Sequence, residues 1–381
     1  MTRTNPPTQL MERTPRLHLA FELASKSWKL AFTVGGRKIR IRVITAGDID
    51  ALRAEIPLAL RAFKLPADTR VVSCYEAGRD GFWLHRLLLT LGIQNCVIDP
   101  ASMLVNRRAR RKKTDRIDAR RMVQSLVQFL EGNDEVWSVV RVPSVADEDA
   151  RRRHRELAVL KGECTAHSNR ISSLLILIGI SSVSMAKLPR VIETLRQPNG
   201  EPIPPHLREE IDREWQRWSL VNRQRLDTER ARDREIEERP ADDTALQKVA
   251  VLAKVRGIGN ASATVLVREL FGWRTFRNRR EVGGAVGLCG TPYDSGESRH
   301  EQGISKQGSA QVRAVLVQLA WGWLRHQRDS KLSCWFVERY GSGTSRHRRV
   351  GIVAVARKLA IDLWRLVERG VIADGMVLAP T

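Results

Sequence analysis

The chain has little cysteine. Its five cysteines (Cys74, Cys96, Cys164, Cys289 and Cys334) are scattered over 381 residues with no C-x-x-C pair. That excludes a disulfide-stapled secreted scaffold and a clustered zinc site, and the thiols read as reduced, in a cytoplasmic protein. Long apolar runs are missing too. The longest, LLILIGI at 174–180, is far short of the roughly 20 residues of a membrane span. The opening MTRTNPPTQLMERTPR lacks the apolar core of a signal peptide and reads as a flexible tail over 1–16. Acidic residues are scarce beside basic ones: 43 Asp plus Glu against 65 Lys plus Arg, a net charge of +22. With 42% hydrophobic and 28% charged residues the chain is globular, not disordered.

So large a basic excess calls for a polyanionic partner, most simply nucleic acid, against the plain alternative of a solubilising surface. Its local concentration favours the partner. The segment NRRARRKKTDRIDARR (106–121) holds nine Lys or Arg and two Asp. Within it Arg107, Arg108, Arg110, Arg111, Lys112 and Lys113 are candidate nucleic-acid contacts.

From Leu17 the pattern is one of short strands. LHLAFELA, then WKLAFTV, the Gly35-Gly36 turn and the alternating RKIRIRVI predict tightly joined antiparallel strands. A helix over 48–63, a strand VVSCYEA, a helix over 81–91, a strand IQNCVID and a helix over 114–130 follow. The order βββαβαβα predicts a mixed sheet with helices packed on it over 17–145. From 146 to 243 the texture is helical. Leu157, Leu160, Cys164, His167, Ile171, Leu174 and Ile178 recur at steps of three and four, the seam of a coiled coil. A Pro-rich break and a charged helix over 206–238 complete a predicted arm, whose seam is expected to mediate self-association. Cys164 and His167 read as seam residues, and the ten tryptophans mainly as helix packing. Residues 244–381 are predicted mostly helical: a helix–Gly-turn–helix at LAKVRGIGNASATVLVREL, a Gly-rich stretch and polar loop, and helices over 309–327 and 350–370.

Asp115 and Asp118, at i and i+3, share a helix face. Alone they read as helix-cap carboxylates. Glu76 ends a buried strand, where functional groups gather in open α/β sheets. Glu22 lies in the first strand, where a carboxylate is costly unless paired or metal-bound. Together the four resemble the acidic tetrad of RNase-H-like nucleases, which hold Mg²⁺ through hard oxygen ligands. Arg256-Gly257-Ile258-Gly259 permits close backbone approach to a phosphate. Ser305 and Lys306, flanked by Gly303 and Gly308, read as a phosphate-contacting turn, with Arg313 one helical turn later.

The run YEAGRDGFWLHRLLLTLGI, VIDPASM and RRARRKKTDRIDAR resembles the DEDD/serine transposases of circle-forming insertion sequences, relatives of the Piv-type DNA invertases. VRGIGNASATVLVREL resembles their helix–hairpin–helix stretch, and the order G-L-x-x-x-P, S-G, I-S-K-x-G, R-x-x-L their terminal domain. The resemblance implies a RuvC-like catalytic domain, a coiled-coil arm and a helical C-terminal domain. It implies Mg²⁺ on Glu22, Glu76, Asp115 and Asp118, and Ser295 as a nucleophile that becomes covalently linked to DNA. It also implies homo-oligomers (dimer or tetramer) and a noncoding guide, or bridge, RNA that pairs with donor and target DNA. The family's first-strand acid is Asp; the matching position here is Glu22, one methylene longer. By its local sequence Ser295 is a turn residue in a small polar loop, with Ser298, Ser305 and Ser309 as neighbours. Two alternatives stay open: a Holliday-junction resolvase or structure-specific metal-dependent nuclease, and a non-catalytic nucleic-acid-binding protein derived from a transposase.

Overall fold

The computed structural model describes residues 15–102, 115–181, 183–295, 298–306 and 308–379; for residues 101, 115–117, 292–295 and 298–302 it gives the backbone alone. The chain divides into two compact units, Met1–Val142 and Pro143–Thr381, each with cores of its own.

In the first unit β1 (Leu17–Leu23), β2 (Ser27–Thr33) and β3 (Arg40–Thr45) form an antiparallel meander. The β2–β3 turn holds Gly35 at φ +100°, a left-handed conformation that suits glycine. Helix α1 (Ile49–Ala62) is capped by the Asp48 carboxylate, which accepts from the Ala51 N–H at 2.9 Å. Then follow β4 (Val71–Glu76), α2 (Trp83–Thr90), β5 (Gln94–Ile98) and α3 (Asp115–Leu130). The sheet order is β3-β2-β1-β4-β5, with β1, β4 and β5 parallel. The mixed α/β sheet expected from the strand and helix pattern is therefore present.

Alternation along the strands divides the side chains between two cores. Leu19, Phe21, Leu30 and Tyr75 meet Leu52 of α1 and Leu84 and Leu88 of α2. On the opposite face Ala20, Ala31, Cys74 and Ile98 meet Ala119, Met122, Val123 and Leu126 of α3. The small alanines at the centre of that face let the helix lie close to the sheet.

The second unit opens with α4 (Val145–Ala150), started by a capping box between Ser144 and Asp147. Next come α5 (Arg152–Ile176), the short α6 (Leu188–Val191) and α7 (Pro205–Glu237). The heptad seam is filled within the chain: α7 runs antiparallel along α5, with Leu157, Leu160 and Ile171 buried. Ion pairs fix the register, Arg153 with Glu235, Lys161 with Glu229 and Arg170 with Glu214. The seam expected to mediate self-association is thus packed against a helix of the same chain. At the far end Ile171, Leu175, Leu188, Ile203 and Ile211 form a small separate core.

The rest of this unit comprises α8 (Thr244–Ala253), α9 (Asn260–Leu266) running into a π-helical turn (Val267–Phe271), and α10 (Arg279–Ala285). They are followed by the hairpin β6 (Gly290–Ser295) and β7 (Ser298–Ile304), α11 (Ala310–His326), α12 (Lys331–Tyr340) and α13 (Ser345–Arg369). Leu359, Ala360 and Leu363 of α13 are fully buried in their shared core. The structure departs from expectation in three places here. The polar loop is a hairpin, α12 is an additional helix, and α13 begins five residues before Val350.

Candidate active site

Register places two of the four carboxylates. Phe21 pairs with Tyr75 across the parallel β1–β4 junction, so Glu22 and Glu76 are the next positions along neighbouring strands. Phe21 and Tyr75 belong to the core on the α1–α2 face, and Ala20 and Cys74 to the core under α3. By alternation Glu22 and Glu76 fall on the α3 side. The pairing of Glu76 with Ile98, itself in that core, agrees. Glu22 is half-buried and Glu76 exposed.

The direction of α3 brings the other two to the same end of the sheet. A Cβ on Gly35, beyond the end of β2, would lie 3.8 Å from Val127 Cγ1. Burial lowers the His18 pKa, and Glu131, just past α3, opposes the fall. Both observations put the C-terminal end of α3 at the start of β1. Its first turn, with Asp115 and Asp118, therefore lies toward the strand ends that carry Glu22 and Glu76. Asp118 continues the stripe of Ala119, Met122 and Leu126 that faces the sheet. Among the described residues no group of three or more His, Cys, Asp or Glu side chains could hold a metal ion; the side chain of Asp115 is outside that set.

Ser295 is the last residue of β6 and pairs with Ser298 of β7 at the closed end of the hairpin. This corrects its expected place in a loop: backbone pairing makes a strand of GTPYDS, whose Pro, Asp and Ser conceal one. Lys306 follows β7 with φ +56°, and its N–H donates to Gly287 O at 3.1 Å. A Cβ on Gly308 would stand 2.2 Å from Ala285 O, so the turn needs glycine there. Arg313 donates through Nη1 to Gly308 O at 3.0 Å, bracing the turn from α11. Between α8 and α9, Gly257 adopts φ +96° against His326, and Arg256, Gly257 and Gly259 are exposed. The backbone of Arg256 is tied to Val377 and Gln327. Arg107, Arg108, Arg110, Arg111, Lys112 and Lys113 lie outside the described residues.

Two features escape sequence reasoning. Lys29 of β2 pairs in register with Glu22, which puts a cation on the carboxylate face; only strand register reveals it. In the second unit the buried Glu269 carboxylate accepts from His154 Nε2 at 2.9 Å and from Arg155 Nε and Nη2 at 2.6 and 2.9 Å. Burial works against its charge. The hydrogen bonds from His154 and Arg155 outweigh burial and hold the carboxyl at about 2. The sequence shows Glu269 only as one acid in a helical run.

A mixed sheet with Glu22 and Glu76 on neighbouring strands of one face, in a strongly basic chain, is compatible with a nucleic-acid-processing class. Comparison with known proteins makes the class specific. Residues 249–333 match the profile described as transposase IS116/IS110/IS902 family. The y4rJ protein of Sinorhizobium fredii (strain NBRC 101917 / NGR234), named as a transposase, is 36% identical over 388 residues, covering 99% of this chain and 98% of its own. The transposase for insertion sequence element IS1328 of Yersinia enterocolitica is 27% identical over 237 residues, 60% of this chain and 66% of its own. That for IS1533 of Leptospira borgpetersenii is 21% identical over 307 residues, 80% and 85% of the two chains. The chain belongs to the IS116/IS110/IS902 family of transposases.

Proposed function

We propose that this transposase cuts and rejoins DNA at insertion-sequence ends with a carboxylate site in the first unit and the Ser295 hydroxyl in the second. The observation that supports the reading is one of strand register and helix direction. Glu22 and Glu76 end adjacent parallel strands on the α3 face, and the first turn of α3 brings Asp115 and Asp118 toward the same end. The α/β unit supports a RuvC-like reading, and the resemblance of residues 292–296 to the family's nucleophile motif supports Ser295.

The donor set is all hard carboxylate oxygen, the chemistry Mg²⁺ prefers. Glu22, Glu76, Asp115 and Asp118 would hold it, where it would supply charge neutralisation at a phosphate. Lys29 beside Glu22 limits the repulsion among these carboxylates. Ser295 Oγ attacks the phosphorus, a deoxyribose oxygen leaves, and a serine–phosphate ester joins protein to DNA. Attack on that ester by a deoxyribose hydroxyl of a second strand rejoins the DNA and frees the serine. A noncoding RNA from the element supplies sequence by base pairing, while Arg and Lys side chains supply backbone affinity. A dimer or tetramer holds the paired ends.

The test uses a plasmid carrying the element's own ends and its flanking noncoding transcript. Reactions are trapped in denaturant and run on denaturing gels. Wild type gives a covalent protein–DNA band, and Ser295→Ala gives none. Asp118→Asn abolishes recombination while nucleic-acid binding persists, because the cationic surface is intact. An equal adduct from Ser295→Ala, or recombination by Asp118→Asn, overturns the reading.

A further inference from the structure

The start of α13 is rich in cations that the proposed chemistry does not use. From Ser345 to Ile361 this helix has Arg346, Arg348, Arg349, Arg357 and Lys358 and no Asp or Glu. Counting about 100° per residue, Arg346, Arg349 and Arg357 fall in a stripe about 80° wide. All three are exposed. The stripe lies opposite the buried row Ile352, Val355 and Leu359, and its ends are about 16 Å apart along the axis. Helix α10 packs against α13 and extends the stripe sideways. A Cβ on its Gly283 would lie 3.8 Å from Arg357 Nε, and the exposed Arg279 and Arg280 sit one turn earlier. The acid of that helix, Glu281, is taken by Arg277 at 2.7 Å. Among the described residues no carboxylate pairs with Arg279, Arg280, Arg346, Arg349 or Arg357.

The platform beneath is firm. Gly351 brings α12 and α13 so close that a Cβ would stand 2.5 Å from the Tyr340 ring, and Tyr340 stacks on Phe336 and meets His347. Uncompensated cations at the positive end of a helix dipole repel it. A rigid face that keeps them fits an anionic partner.

We propose that the Arg346–Arg349–Arg357 stripe, with Arg279 and Arg280, docks the phosphate backbone of duplex DNA. The inference rests on the DNA-processing reading above. Duplex is chosen over single strands because the stripe carries no aromatic side chain on which bases could stack. The apolar residues at or beside its angle in the first turns, Val350 and Val353, are aliphatic.

The experiment measures binding of the full-length protein to a random-sequence 30-base-pair duplex DNA over a range of salt. Arg346→Gln with Arg349→Gln should weaken binding and lower the slope of log K against log salt by about 2, one for each phosphate no longer neutralised. Thermal unfolding should be unchanged or slightly raised, since both side chains are exposed and neither charge favours the helix dipole. A control pair, Arg223→Gln with Arg230→Gln on α7, removes the same charge and should leave most of the slope in place. An unchanged slope in the α13 pair overturns the inference while leaving the DNA reading intact. An equal loss in the control pair overturns it as well, as does a loss confined to a single-stranded RNA probe. Failure of wild type to bind duplex DNA removes the DNA reading itself.

Discussion

Glu269 is the residue on which the second unit depends most locally. Its side chain is almost fully buried, and it ties the start of α5 to the π-helical turn through His154 and Arg155. Glu269→Gln keeps the shape and removes the charge, so three charge-assisted hydrogen bonds weaken or are lost; destabilisation of about 2 kcal/mol is expected near neutral pH. The folded carboxyl sits at about 2, below its usual 4.5. A depressed acid contributes stability above its unfolded pKa and loses it as pH falls through the folded one. The difference in unfolding free energy between wild type and Glu269→Gln should therefore be full above pH about 5 and shrink toward pH 2. Denaturant melts across that range check it, and a constant difference would contradict the assignment. Little of this is legible in the sequence. An acid in a helical run signals nothing until its partners, 114 and 115 positions away, are placed beside it. The places of Glu22 and Glu76 near strand ends and of Asp115 and Asp118 in one helix turn are legible because strand ends and i, i+3 spacing are local patterns; the pairing of Lys29 with Glu22 is not, because register is a tertiary property.

At the scale of elements, the first unit follows its pattern closely: apolar alternation in LHLAFEL and the apolar run of VVSCYE are what strands need. The second unit hides its hairpin, because GTPYDS and SRHEQGI carry almost no apolar residues and their pairing rests on the backbone. It hides the start of α13 for a related reason. SRHRR lacks any apolar period, and what starts the helix is the Thr344 hydroxyl accepting from the His347 N–H. The long seam is legible as a seam, while its partner is not: a heptad pattern does not say whether the other helix is in cis. Ile171 has no exposed surface and sits in the distal core of the α5–α7 pair. Ile171→Ala should cost about 3 kcal/mol. Because the pairing is within one chain, the lowered unfolding temperature should not vary with protein concentration. A concentration-dependent shift would place the partner helix in another chain.

For the whole molecule, a net charge of +22 sets the expected response to salt. Duplex DNA affinity should fall log-linearly with salt, by about a thousandfold or more between 50 and 200 mM, if six or more phosphates are engaged. Fluorescence anisotropy over a salt series measures it, and a flat response would remove electrostatics as the source of affinity. Among the described residues no helix is long and apolar enough to cross a membrane. The two compact units each enclose apolar cores, so the carboxylate-bearing sheet and the arginine-bearing helices are parts of separately packed bodies.

The pairing of Phe21 with Tyr75 makes the sheet sensitive to parity. Deleting one residue from the middle of β4 turns Glu76 to the face under α1 and α2, away from Asp118. Deleting two restores the face but draws the carboxylate back by about 7 Å. With the proposed carboxylate site, single substitutions at buried positions of β4 would be graded in effect, while one-codon deletions there would all silence the enzyme, even where the protein still accumulates in the cell.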